Sequence, residues 1–207
     1  KGVSIANARL AGGTMGGPGL QFIPGDKPYT GLSLTHGNAQ SLTLFPAIGM
    51  DLPIVFSRKF TKSRLWDITR KYDCTVFNLL GGMTTAIYSE ALKDNDGDNP
   101  VRMVLSAGMP AVIWQKFEER FNLKIVELYA AVDGYGLFMN KGDGPVGSFG
   151  QIPANSEFKI VNDDGDEMPH GEMGELIGRP IEGEVKVEYF KNKEASKKKT
   201  AGGWVRT

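Results

Sequence analysis

Five stretches of this 207-residue sequence carry residue types that could bind a ligand, and three of them fail on spacing. Gly12-Gly13-Thr14-Met15-Gly16-Gly17-Pro18-Gly19 has the glycine density of a loop that wraps phosphate, but no Lys-Ser/Thr pair follows it and Pro18 has no amide proton to donate. It reads as a flexible connection. Asp94-Asn95-Asp96-Gly97-Asp98 has the carboxylates of a calcium loop but lacks Gly at the sixth position and Glu at the twelfth, which is Leu105. It reads as a solvated turn. Asp163, Asp164 and Asp166 surround Gly165 at an expected hairpin tip, where Asx-turn chemistry accounts for them without a metal.

The other two stretches follow apolar, β-rich runs. Val101 to Leu105 leads into Ser106-Ala107-Gly108-Met109-Pro110, small residues that let a flat ring lie against backbone before Pro110 starts a helix. Lys124 to Leu128 leads into Tyr129-Ala130-Ala131-Val132-Asp133-Gly134. Ligands of open α/β sheets bind beyond the carboxyl ends of the strands. If these two strands are neighbours, an aromatic ring, a backbone cradle and a carboxylate share one crevice suited to an adenine nucleotide with a divalent cation. On these residues alone, Tyr129 as ordinary core and Asp133 as a turn residue remain open.

The elements that must position them follow a βαβ rhythm. Thr30 to Leu34, Leu52 to Phe56, Cys74 to Leu79, Val101 to Leu105 and Lys124 to Leu128 are separated by stretches long enough for crossover helices, so a mostly parallel sheet flanked by helices is expected. Leu65, Ile68 and Tyr72 predict the core face of one helix, and Ile113, Phe117 and Phe121 that of another. After about Lys141 the pattern turns to short alternating runs, Glu157 to Val161 and Gly174 to Gly178, which predict a small antiparallel β subdomain. The expected α/β division is therefore residues 1–140, carrying the nucleotide and acyl-pocket loops, and 141–207, β-rich. Lys191 to Thr200 reads as a solvated helix or loop.

Composition narrows the class. Twenty-four Lys and Arg balance 24 Asp and Glu, so no global basic field would hold nucleic acid. One cysteine, Cys74, and two histidines are too few for a disulfide or a structural zinc site and suit a reducing, cytoplasmic setting. No apolar run approaches the roughly 20 residues of a membrane span. No Met begins the chain, and Gly202 to Thr207 stops in what reads as a strand, so an internal piece of a longer protein is expected.

The order Lys1-Gly2, Leu34-Thr35-His36, Ser106 to Pro110, Tyr129 to Gly134, Gly147-Ser148-Phe149-Gly150, Gly171-Glu172-Met173-Gly174-Glu175-Leu176, Tyr189-Phe190-Lys191-Asn192 and Gly203-Trp204-Val205-Arg206-Thr207 resembles the AMP-forming acyl-CoA synthetases of the adenylate-forming superfamily. The resemblance covers essentially the whole chain. The stretch from Asn99 to Phe121 is most similar to the crotonobetaine/carnitine-CoA ligase branch.

This resemblance implies ATP, Mg2+ and coenzyme A as co-substrates and cofactor, with a small-molecule carboxylate activated as an acyl-adenylate. It implies that Ser106, Ala107 and Gly108 wall the adenine site, that Tyr129 stacks on the ring, and that Lys1 and Gly2 end a phosphate loop. Family members continue the Tyr as Tyr-Gly-x-Thr-Glu, with the Thr hydroxyl on phosphate and the Glu on magnesium. Here these positions are Ala130, Val132 and Asp133, so a hydroxyl is missing and the carboxylate is one methylene shorter. His36 matches a Pro-x-x-His position beside the acyl and pantetheine channel, with Ser33 in place of the Pro, and Asn78, Gly81 and Met83 are implied in the acyl pocket. No catalytic side chain is expected within these residues. Two rivals stand beside the ligase: a divergent nucleotide-binding homologue that no longer adenylates, and a non-catalytic interaction domain on the same fold.

Overall fold

A computed structural model describes residues 2–207, so Lys1, expected beside phosphate, lies outside the described residues. The chain divides into two compact units.

The larger unit comprises residues 7–128 and 139–150. Its elements in chain order are α1 (Asn7–Thr14), β1 (Pro28–Thr30), α2 (Gly37–Ala39), a π-helical turn (Gln40–Leu44), α3 (Phe45–Gly49), β2 (Val55–Phe56), α4 (Leu65–Tyr72), β3 (Val76–Leu80), α5 (Gly81–Tyr88), β4 (Met103–Ala107), α6 (Ala111–Phe121) and β5 (Lys124–Tyr129), with β6 (Phe138–Asn140) at the sheet's edge. The sheet order is β2-β1-β3-β4-β5-β6, and the pairs from β2 to β5 are parallel, as the βαβ rhythm predicts.

Alternation along the strands sends apolar side chains to both faces. Phe77, Leu79, Val104 and Ile125 pack with Trp66 of α4 and with Trp114, Phe117 and Phe121 of α6. Val76, Met103, Leu105, Val126 and Leu128 pack on the other side with Leu20, Phe22 and Leu42. The expected core faces hold at Leu65, Phe117 and Phe121, which are buried, and at Ile68 and Ile113, which pack partly buried on the same core; Trp114 joins them, and Tyr72 is exposed while Trp66 is buried. The cause is aromatic: Trp66 stacks on Phe121, centroids 4.5 Å apart, and draws that side of α4 onto α6. Both helices stop at a residue able to take a left-handed conformation, Asp73 (φ 54°) and Asn122 (φ 50°).

Two sequence expectations are overturned here. The glycines from Gly12 to Gly19 are not a flexible connection: Gly12 and Gly13 lie within α1, and the following residues form hydrogen-bonded turns such as Leu20 N–H to Gly16 O at 3.0 Å. A Cβ on Gly17 would collide with the Met50 side chain, and one on Gly49 with the Thr14 backbone. These glycines serve close packing. The Asp94–Asp98 turn is not simply solvated either, because Asp96 is 5% exposed and accepts Arg120 Nε at 2.7 Å. Arg120 also donates to the carbonyls of Tyr88, Glu90 and Ala91, capping the C-terminal end of α5 with a cation.

The smaller unit comprises the described residues up to Ala6 together with 129–138 and 151–207. It contains the antiparallel sheet β7-β8-β9, formed by β7 (Ser156–Val161), β8 (Glu175–Pro180) and β9 (Val205–Arg206), and the helix α7 (Lys193–Lys199). Phe158 lies opposite Gly178, where any Cβ would overlap its ring. The ring meets Phe138 edge-on, centroids 4.5 Å apart. At the 162–166 turn, Asn162 Oδ1 accepts the N–H groups of Asp164 and Asp166 at 3.0 and 2.9 Å, the Asx chemistry expected at that tip. Among the described residues, no helix is long and apolar enough to cross a membrane.

Candidate nucleotide and acyl site

Strands β3, β4 and β5 are consecutive in the sheet, so the turns that leave their C-terminal ends follow neighbouring strands. β3 ends at Leu80, just before Gly81 opens α5, and β4 ends at Ala107, just before Gly108. Gly108 is exposed and has φ +103°, a left-handed conformation that disfavours any side chain. A Cβ on Gly81 would come within 2.7 Å of the Gly108 carbonyl oxygen, so Gly81 must lack a side chain for the two turns to approach. Exposure rises along the turn, from half-buried Ala107 to exposed Gly108. Ser106 itself is buried.

Behind this turn stands a residue that the motif reading missed. Glu127, on β5 and 5% exposed, accepts the Gly108 N–H and, at 3.1 Å, the Met109 N–H. Burial pushes its carboxyl above the usual range, and the Gly108 amide, the neighbouring Ser106 hydroxyl and the Met109 amide draw it back only partly. The available signal was an acid inside the apolar run Ile125-Val126-Glu127-Leu128, where a solvated role is excluded by two buried faces.

The residues implied in the acyl pocket fall into two groups. His36 is exposed and its Nδ1 accepts the Asn38 N–H at 3.1 Å, capping α2. Asn38 Oδ1 in turn accepts Asn78 Nδ2, and the buried Asn78 accepts the Thr43 hydroxyl at 3.2 Å. His36 and Asn78 are thus joined through Asn38. Gly81 lies instead against the Gly108 turn, and Met83 packs partly buried on the α4–α6 side of the sheet.

In the smaller unit, Tyr129 is half-buried and its ring lies 6.0 Å from that of Phe138. Ala130 is exposed and Val132 is 44% exposed, so neither is core. Asp133 accepts the Tyr189 hydroxyl, and the same oxygen lies 3.5 Å from Lys199 Nζ. The Tyr189 bond chiefly holds the Asp133 carboxyl below its usual range, against burial and with help from Lys199. Lys199 therefore departs from the solvated run expected of residues 191–200: its side chain is 13% exposed. Among the described residues, no group of three His, Cys, Asp or Glu side chains could hold a metal alone. A single carboxylate fits only a magnesium ion whose other ligands are water and phosphate. Gly2, the described remainder of the expected phosphate loop, is exposed beside the bridge between Val3 and Tyr189.

With this geometry in view, comparison places the chain in the family of AMP-binding enzymes, whose model matches residues 1–181. Among curated relatives, long-chain fatty acid transport protein 6 of Homo sapiens is 32% identical over 66% of this chain and 22% of its own length. The medium/long-chain-fatty-acid–CoA ligase FadD17 of Mycobacterium marinum is 27% identical over 86% of this chain and 35% of its own. The chain thus spans well under half the length of these relatives. The fold is shared with ATP-bound MatB from Rhodopseudomonas palustris, with a TM-score of 0.81 at 17% identity over 100% of this chain and 42% of that one. A benzoate CoA ligase from Burkholderia xenovorans LB400 gives a TM-score of 0.75 at 20% identity, over 88% of this chain and 38% of the other.

Proposed function

We propose that this chain is the nucleotide- and acyl-binding part of an ATP-dependent, AMP-forming acyl-CoA ligase, which activates a carboxylate as an acyl-adenylate and transfers it to coenzyme A. The observation that carries this reading is the Gly108 turn and the Tyr129 segment leaving the ends of neighbouring parallel strands, β4 and β5, in a member of the AMP-binding family. In this reading Ser106, Ala107 and Gly108 wall the adenine, Tyr129 stacks on it, and Lys1, Gly2, Ala130 and Val132 face the phosphate. His36, Asn78, Gly81 and Met83 border the acyl and pantetheine channel. The functional division is at about residue 140, with both sets of loops before it, and the setting is cytoplasmic.

Asp133 is the proposed magnesium carboxylate. Asp133 would hold the ion from beside Lys199, and magnesium there would supply charge neutralisation at the phosphates. A carboxylate is a poor electrophile, and adenylation gives it a leaving group while fixed cations and dipoles offset the developing charge. The curated relatives, a fatty acid transport protein and a fatty-acid–CoA ligase, favour a fatty acyl substrate. A crotonobetaine- or carnitine-like carboxylate, suggested by the stretch from Asn99 to Phe121, is the second reading.

Calorimetric titration of AMP into the chain, as wild type and as Tyr129→Ala, tests the assignment. Base–aromatic stacking contributes about 1–3 kcal/mol, so the substitution weakens AMP binding by about tenfold to a hundredfold with folding retained. Unchanged affinity in a folded variant, or no AMP binding by wild type, would overturn it. Pyrophosphate release on mixing the chain with ATP, magnesium and carboxylates is expected to stay at the buffer rate.

A further inference from the structure

Thr43, Asn78, Asn38 and His36 form a polar chain that starts in the core of the larger unit and ends at an exposed ring. Thr43, in the π-helical turn, and Asn78, on β3, are 1% and 2% exposed. The Thr43 hydroxyl donates to Asn78 Oδ1 at 3.2 Å, and Asn78 Nδ2 donates in turn to Asn38 Oδ1. The buried amide is thus bonded at both its oxygen and its nitrogen, and it tethers the Asn38 side chain. The backbone N–H of Asn38 donates to His36 Nδ1 at 3.1 Å. A backbone N–H can only donate, so Nδ1 is the bare nitrogen and the proton of the neutral ring sits on Nε2. His36 is exposed, and among the described residues no second bond holds its ring.

We infer that Asn78 is a positioning residue that, through Asn38, fixes His36 in the tautomer whose Nε2 carries the proton, so that the ring offers a ligand a hydrogen-bond donor and not a base. The inference rests on the acyl-site reading above and adds what His36 asks of the acyl ligand: an acceptor oxygen, as a carboxylate or a thioester carbonyl presents. The ring has no place for a thiol proton, because Nδ1 is engaged by Asn38 and Nε2 is already filled. An anchor is needed because the His36–Asn38 bond spans two residues at an exposed position, where water competes for both groups. Asn78 supplies it from β3, and Thr43 braces Asn78 from a π-helical turn, a distortion frequent at functional sites.

The sequence holds two histidines, so nitrogen NMR reads both rings at once, with exposed His170 as the internal reference. At about pH 8.5, above the ordinary histidine range of about 6.5, wild-type His36 is expected to show a bare Nδ1 and a protonated Nε2, and His170 a mixture of tautomers. In Asn78→Leu, similar in shape but without donor or acceptor, the His36 pattern moves toward that of His170 and the Asn38 amide exchanges about tenfold faster, the weight of one hydrogen bond. Asn38→Ala keeps the backbone N–H and loses only the tether. It gives the same change, the double variant adds nothing further, and it serves as the test if Asn78→Leu fails to fold. A wild-type His36 protonated on Nδ1, or an unchanged pattern in a folded variant, would overturn the inference. Octanoate, added to wild type as the probe carboxylate, is expected to shift Nε2 and leave Nδ1 in place. A shift at Nδ1 instead would overturn the donor role, and no shift at either nitrogen would remove the acyl reading on which that role rests.

Discussion

The carboxylate of Asp133 is held by the hydroxyl of Tyr189, which lies 56 residues further along the chain, and the same oxygen pairs with Lys199. Tyr189 is buried, with 6% of its surface exposed. Asp133 therefore clasps the segment after β5 to the C-terminal part of its own unit. The hydroxyl of Tyr189 is pushed up to about 12 from an ordinary 10.0, first by donating to Asp133 and then by burial.

Replacing Asp133 by Asn removes the charge that keeps the Tyr189 proton in place. The expected outcome is one tyrosine whose ionisation falls from about 12 toward 10.0, read as phenolate absorbance in an alkaline titration. An identical titration in wild type and variant would show that Asp133 does not govern Tyr189.

Asp26, 2% exposed, receives both the Nε and Nη2 of Arg102, the Thr75 hydroxyl and the Ile23 N–H. Burial raises its carboxyl, but these hydrogen bonds, Arg102 first, outweigh burial and leave it below the usual 3.8. Arg102→Met strands a buried charge and should cost about 3 kcal/mol in urea unfolding at pH 7. The sign with pH follows from the lowered value. The stabilisation is fully present above the unfolded carboxylate range of about 4 and is lost as pH falls through the lower folded value. Urea midpoints of wild type and Arg102→Met should converge on acidification, and a constant gap down to low pH would refute the assignment.

In the proposed nucleotide site Val132 faces the phosphate, and it is exposed enough that Val132→Thr should change stability by less than about 0.5 kcal/mol. A charge-assisted bond is worth about 1.5–3 kcal/mol, so the variant should bind AMP about tenfold more tightly while adenosine affinity stays the same. A parallel gain for adenosine would place Val132 away from the phosphate.

Phe117, fully buried, lies between Phe121 at 4.7 Å and Tyr88 at 6.3 Å, measured between ring centroids. Phe117→Ala should destabilise the chain by roughly 3–5 kcal/mol in thermal or urea unfolding. A loss under 1 kcal/mol would mean that α6 and α5 close over the gap.

The sheet was legible because strands buried on both faces write themselves as unbroken apolar runs, and all five runs contain or adjoin a strand. The first is displaced, since Thr30 to Leu34 was expected and β1 is Pro28–Thr30. The helix faces were legible at Leu65, Ile68, Ile113, Phe117 and Phe121, but Trp66 and Trp114 were missed and Tyr72 is exposed, because ring stacking between helices leaves no mark on either helix alone. At the site, Gly108 could be chosen from its place after a strand. Glu127 could not be chosen from any motif, for its partners are backbone amides, which every sequence contains. Lys199 was hidden in a lysine run whose other members, Lys191, Lys193, Lys197 and Lys198, are exposed.

The larger unit takes residues 7–128, releases the chain for 129–138, and takes it back for 139–150. During synthesis on the ribosome, β5 emerges before β6, its neighbour in the sheet, and until then its outer row of backbone N–H and C=O groups is bare. The nascent protein therefore passes through a stage in which a nearly finished parallel sheet carries a sticky edge at β5 as well as the one at β2. A chaperone that shields that edge, or a slow stretch of codons placed after residue 150, would act at the moment when mispairing between growing chains is easiest.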